Sequence, residues 1–115
     1  MGIFARLSVI QGPDKGKELR FSSGVISVGR FKDSDLYISD NDLGVSGKHF
    51  EVRFKKGEYY LYNYGSNGTR VNGKDVKEGL LRDGDQIGIG FSTVLQFRLE
   101  GVTDYGVKGD YESSL

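Results

Sequence analysis

Eighteen glycines are spread through 115 residues, and between them apolar residues recur at a period of two. A glycine inside a helix costs about 1 kcal/mol relative to alanine. No window repeats apolar residues at helical spacing over a helix's length. The chain is thereby confined to short strands joined by tight turns.

Taken in order, Phe4 to Ile10 alternates, with Ala5, Leu7 and Val9 on one face and Arg6 and Ser8 on the other. Gly12-Pro13-Asp14-Lys15-Gly16 is turn chemistry, because Pro presets φ and Gly permits positive φ. Leu19 and Phe21 mark a second strand, and Val25 to Val28 a third that runs into Gly29-Arg30. Phe31 to Val45 is polar and irregular except for Leu36 and Ile38, with Asp40-Asn41-Asp42 as a loop. Phe50, Val52 and Phe54 alternate against Glu51, Arg53 and Lys55; Lys56-Gly57 turns the chain and Tyr59 to Tyr64 returns as partner. Thr69 to Val71 and Lys74 to Val76 flank Asn72-Gly73, the two-residue signal of a type I′ hairpin. After Leu80-Leu81 and Asp83-Gly84, strands are expected over Asp85 to Ile89 and around Leu95, Phe97 and Leu99. Many short strands with frequent turns predict an all-β sandwich or barrel. One domain over residues 1–100 is expected, and 101–115, without apolar period, reads as a flexible tail or the start of a linker.

Composition narrows the function. Lys+Arg and Asp+Glu balance at 16 each, which argues against a general nucleic-acid binder. No cysteine is present, so thiolate metal sites and cysteine nucleophiles are excluded together. No apolar run approaches the roughly 18–20 residues of a membrane span, and the first residues do not read as a signal peptide. Met-Gly at the start raises N-myristoylation, but Arg6 stands where that signal wants Ser or Thr. The expected setting is intracellular and cytoplasmic, with the nucleus left open. Asn67-Gly68-Thr69 matches a glycosylation acceptor that has no bearing without a secretory route.

Catalytic readings fare poorly. Gly12-x-x-x-Gly16-Lys17 is one residue short of a phosphate loop, and Glu18 replaces the hydroxyl that should hold Mg²⁺. Gly88-Ile89-Gly90 lacks the third glycine and following helix of a dinucleotide fingerprint. Asp83-Gly84-Asp85 lacks the length and the Glu of a calcium loop. His49 is the only histidine, without carboxylates at ligand spacing. Three residues from Ser46, it reads better as a pin for its loop than as the base of a nucleophile pair. Tyr60, Tyr62 and Tyr64 line one strand face, either as a stacking platform or as a plain solvent-side stripe.

What remains is a set of small donors in loops: Ser46-Gly47-Lys48-His49 and Ser66-Asn67-Gly68-Thr69, with Gly29-Arg30 upstream. A phosphomonoester presents about −1.5 to −2 charges on three acceptor oxygens. A guanidinium fork and charge-assisted bonds answer that geometry. In order and approximate spacing, Gly29-Arg30, Ser46-x-x-His49, Asn67-Gly68-Thr69 and Val71-Asn72-Gly73 resemble a forkhead-associated (FHA) domain. Asp35-Leu36-x-Ile38 and Asp83-Gly84-Asp85-x-Ile87-x-Ile89-Gly90 look like its framework, and the resemblance covers roughly Ala5 to Leu99.

The resemblance implies a sandwich of two mainly antiparallel sheets with ligand loops at one end, binding phosphothreonine. Arg30 and Ser46 would contact the phosphate, Ser66 would add a donor, and Asn67 would bond the peptide backbone. Gly47 would offer its amide and Lys48 would lean in, while Gly29, His49, Gly68 and Thr69 would support the site. Two positions depart from the family pattern. Gly47 stands where many members carry Arg, Lys or Asn, and Ser66 abuts Asn67 without the usual intervening residue. The implied partner is a phosphothreonine-containing protein or peptide, a Ser/Thr kinase or its substrates. Neither cofactor, metal, nucleic acid nor membrane is implied, and the chain is not expected to be an enzyme. Thr103 in the tail is a candidate intramolecular ligand if phosphorylated. The competing expectation is a phosphate-independent interaction domain that uses a sheet face or edge.

Overall fold

The computed structural model describes residues 2–39 and 41–102. Eleven strands are present and no helix among these residues. They are β1 (Gly2–Gln11), β2 (Glu18–Phe21), β3 (Val25–Gly29), β4 (Leu36–Tyr37), β5 (Phe50–Lys55), β6 (Glu58–Asn63), β7 (Thr69–Val71), β8 (Lys74–Asp75), β9 (Glu78–Leu80), β10 (Gln86–Ile89) and β11 (Thr93–Val102). One sheet runs β2-β1-β11-β10-β7-β8 and the other β4-β3-β5-β6-β9. All pairings are antiparallel except β3 with β4. The expected sandwich of two mainly antiparallel sheets is what the chain forms.

Alternation decides the core. Ala5, Leu7 and Val9 from β1, Ile87 and Ile89 from β10, and Leu95 and Phe97 from β11 are buried in one cluster with Ile26, Val28, Phe50, Val52, Tyr59 and Leu61 of the second sheet. Each fully buried side chain of this size contributes about 1.5–3 kcal/mol. Slipping a strand by one residue would turn that whole set outward, so register is firmly specified.

Two hairpins carry the turn chemistry read from the sequence. Lys56 (φ 52°) and Gly57 (φ 82°) close β5–β6, and Asn72 (φ 53°) and Gly73 (φ 85°) close β7–β8. Positive φ at both central residues defines the type I′ turn, whose twist matches that of the strands. The Asn72 side chain bonds Asp85 (2.9 Å) and the Gln86 amide (3.0 Å), which fastens this hairpin to β10.

Two differences from the sequence reading stand out. β9 has no mark in the apolar pattern; it forms because Tyr60, Leu61 and Tyr62 accept Leu80, Gly79 and Glu78 as neighbours in register. β11 continues through Gly101 and Val102, past the expected boundary at 100, because β1 offers Ile3 and Gly2 opposite them. Asp40 and the remainder of the expected tail, including Thr103, lie outside the described residues.

Candidate functional site

At one end of the sandwich the chain leaving β3 meets the segment before β5 and the turn between β6 and β7. Gly29 makes the first approach possible: a Cβ there would lie 2.1 Å from the Gly47 carbonyl oxygen. With that space open, the Arg30 amide donates to the Ser46 carbonyl (3.1 Å), the Phe31 amide to the Gly47 carbonyl (2.9 Å) and the His49 amide to the Val28 carbonyl (2.8 Å). The half-buried Arg30 guanidinium donates through Nε to the Val45 carbonyl, next to Ser46.

His49 is the strut of this end. It is fully buried; its Nδ1 accepts the Ser46 amide (2.9 Å) and its Nε2 lies 2.8 Å from the Gly68 carbonyl oxygen. Those two bonds require the neutral ring with hydrogen on Nε2. Burial pushes the imidazole pKa below its ordinary value, and the neighbouring Arg70 charge adds to this against the raising effect of the Gly68 carbonyl. The ring lies flat against Gly65, where a Cβ would come within 2.4–2.6 Å of three ring atoms. With both nitrogens committed to backbone, His49 does not serve the Ser46 hydroxyl.

The turn Gly65-Ser66-Asn67-Gly68 closes on a bond from the Gly68 amide to the Gly65 carbonyl (3.1 Å), with Gly68 at φ +81°. Asn63 anchors it, taking the Gly65 amide (3.0 Å) and the hydroxyl of buried Thr69 (2.7 Å) on its side-chain oxygen. The Ser66 amide then donates to the Ser46 hydroxyl (3.1 Å), and the two hydroxyl oxygens stand 3.5 Å apart. Asn67 donates from its side chain to the Gly44 carbonyl (3.1 Å). Arg30, Ser46 and the adjacent Ser66 and Asn67, which lie in three separate segments of the sequence, are thus joined by one run of contacts.

Gly47 and Lys48 stand differently from the other residues of the set. A Cβ on Gly47 would fall 2.5 Å from the ring of Phe31, so the aromatic ring occupies the room a side chain at 47 would need. The Lys48 ammonium is 2.6 Å from the Glu51 carboxylate and 4.2 Å from the Tyr64 ring centre. Its hydrogen bond to Glu51 raises its pKa. Burial alone would raise the Glu51 carboxyl, yet hydrogen bonds from Lys48 and Arg53 outweigh it and hold it below its ordinary value. Arg53 stacks on Tyr62 (4.1 Å), and Lys55 lies 5.1 Å from both Tyr60 and Tyr62. The tyrosine stripe is a sheet face whose rings already carry cations.

Two residues here escaped the sequence reading. Gly65 carried no signal beyond its place in Asn63-x-Gly65. Asp42, read only as a loop residue, is buried and holds the amides of Gly44 (3.1 Å), Phe91 (2.9 Å) and Ser92 (3.0 Å) and the hydroxyl of Thr93 (2.7 Å). Burial would raise its pKa, but these bonds overturn that and lower it from 3.8 to about 2. Its spacing, Asp-x-Gly, is the local cue: a side-chain oxygen that turns onto the amide two residues on.

Comparison with known proteins identifies the family. The FHA domain family model matches residues 26–90. The chain is 37% identical over 111 residues to the glycogen accumulation regulator GarA of Mycolicibacterium smegmatis, covering 96% of this chain and 65% of that protein. The chain thus spans less than two thirds of that relative's length. A solved structure described as phosphothreonine-dependent FHA domain interactions aligns with TM-score 0.71 and 30% identity, over 83% of this chain and 95% of the other. The FhaA FHA domain, solved in complex with the intracellular domain of Rv3910, aligns with TM-score 0.70 and 30% identity, over 82% and 99%. By sequence and by fold, this chain belongs to the FHA domain family.

Proposed function

We propose that the chain binds proteins or peptides through a phosphorylated threonine, as a reader and not as an enzyme. The observation that carries this is the convergence of the Ser46 and Ser66 hydroxyls, 3.5 Å apart, beside the loop that Arg30 holds through Val45. Arg30 supplies the charged fork, Ser46 and Ser66 supply hydroxyls, the Gly47 backbone supplies an amide, and Asn67 holds the peptide backbone. Gly29, His49, Gly68 and Thr69 fix these groups in place. Lys48 adds positive potential while tethered to Glu51. Pre-formed donors of this kind hold a dianion at little ordering cost. Family membership supports the reading, as does similarity to a structure of phosphothreonine-dependent interactions.

The fitting partners are phosphothreonine-bearing proteins, a Ser/Thr kinase or its substrates, met inside the cell. The reading needs no cofactor, metal, nucleic acid or membrane; no helix among the described residues is long and apolar enough to cross one. Residues 1–100, extended by the last two residues of β11, are the binding unit in this reading. Phosphate-independent docking on the tyrosine face is less favoured, because Arg53 and Lys55 already occupy the Tyr60 and Tyr62 rings.

The test is a calorimetric titration with one peptide in phosphothreonine, phosphoserine, threonine and aspartate forms, on the wild type and on Arg30→Ala. The phosphothreonine form binds best. Arg30→Ala costs about 2–5 kcal/mol of binding, the usual loss when one partner of such a charge pair is removed, with the circular dichroism spectrum unchanged. Equal binding of the phosphorylated and plain threonine forms refutes the reading.

A further inference from the structure

β2 forms one edge of the six-stranded sheet, and at 4 residues it is longer than the other edge strands β4, β8 and β9. Its pairing with β1 decides which backbone groups stand outward. The Val9 amide donates to the Lys17 carbonyl (2.8 Å), in line with the register Leu7↔Leu19 and Ala5↔Phe21. The odd-numbered residues of β2 therefore bond β1, and the amides and carbonyls of Glu18 and Arg20 point to the open edge. An edge of this kind is a template for another strand.

The side chains give that template a preference. Leu19 and Phe21 pack against the core, so Glu18 and Arg20 share the outer face, where Arg20 stands directly opposite Arg6 of β1. Like charges in that position repel. Arg6 has an acid beside it, Glu100 at 3.1 Å, whereas Arg20 reaches only Glu18 of its own strand, at 3.7 Å, with side chains 61% and 45% exposed. Laid antiparallel against a second β2 about Leu19, the strand sets Glu18 of each copy opposite Arg20 of the other. Both residues face the edge, so each such pair exchanges backbone bonds in both directions. The second copy thereby supplies the acid that Arg20 lacks on its own sheet. The same operation on β9 would set Glu78 against Leu80, with no charge pair.

We propose that β2 is a self-association edge, through which two copies of this chain join their six-stranded sheets into one continuous sheet about a twofold axis at Leu19. A second copy is the fitting partner because the edge complements itself in both charge and register. A contact built on one short strand belongs to the small class, below about 1,200 Å², so the dimer is weak and fills as concentration rises. The paired strands run antiparallel, so the candidate ligand loops of the two copies point in opposite directions. Nothing in this edge depends on what those loops bind.

The experiment is sedimentation velocity on the whole chain from low micromolar to millimolar concentration. The average mass of the wild type climbs towards that of two chains. Glu18→Arg sets Arg against Arg20 in both pairs and weakens association by about tenfold or more. Adding Arg20→Glu to Glu18→Arg restores the complementary pairs and brings association back to within about threefold of the wild type. Arg20→Pro removes an outward amide at an edge position that accommodates proline, and it abolishes the dimer. Circular dichroism and thermal melting establish that each variant is folded. A wild type that stays monomeric throughout overturns the proposal, as does association that survives Glu18→Arg or Arg20→Pro unchanged, or a loss that the charge swap fails to repair.

Discussion

Replacing Asp42 with asparagine destabilises the fold in a way that pH must reproduce. The Asp42 carboxylate is 2% exposed and accepts five hydrogen bonds, two from Gly44 and Phe91 on one oxygen and three from Ser92 and Thr93 on the other. The asparagine side chain would keep one acceptor and set an amide donor against the Ser92 amide, so about 2–4 kcal/mol of stability is lost at neutral pH. The carboxyl pKa falls from 3.8 to about 2 on folding, equivalent to about 2.4 kcal/mol of stabilisation of the charged form. Because the folded value is the lower one, that stabilisation is complete above 3.8 and is lost as pH falls through about 2. The gap between wild type and Asp42→Asn therefore shrinks by about 2 kcal/mol between about pH 5 and pH 2. Urea unfolding of both proteins, followed by far-ultraviolet circular dichroism across this range, measures the gap directly. An unchanged midpoint at neutral pH, or a gap constant with pH, refutes the role given to Asp42.

Other perturbations probe the strut and the paired lysine. Gly65→Ala forces a methyl to within 2.4–2.6 Å of the His49 ring, so it costs at least about 1–3 kcal/mol in thermal unfolding and weakens phosphopeptide binding as well. Lys48→Ala removes an exposed ammonium held by Glu51, and titration finds phosphopeptide affinity changed by less than about fivefold.

How much of this was legible in the sequence follows from what a sequence encodes locally. Period-two alternation located β1, β5, β6 and β11, because burial of one face leaves its mark on every second residue. Gly57 and Asn72-Gly73 announced their turns through residue types that tolerate positive φ, whereas Lys56 at φ 52° carries no such signal. Partnership between strands was not legible: alternation says which face is inward, not that β1 pairs with β11 along almost its whole length. Single residues with long-range duties were also hidden. Asp42 bonds residues 49–51 positions away, and Asp14, read as a turn residue, is buried and takes the Ser39 amide at 3.1 Å. Gly65 looked like any loop glycine until the His49 ring was seen against it. The candidate-site residues carry their chemistry in their types, and the structure bonds Ser66 to Ser46 and Asn67 to the Gly44 carbonyl of the same loop. The pairing of the Lys48 ammonium with Glu51 was not legible either.

The central claim, that the loops and not a sheet face read a phosphorylated threonine, is tested most directly by amide chemical-shift mapping. ¹⁵N-labelled protein is titrated with a phosphothreonine peptide and, separately, with its unphosphorylated form. Shifts concentrated at Arg30, Ser46, Gly47, Ser66 and Asn67, and seen only with the phosphorylated peptide, are the predicted result. Shifts centred on Arg53, Tyr60 and Tyr62, the same for both peptides, would contradict it.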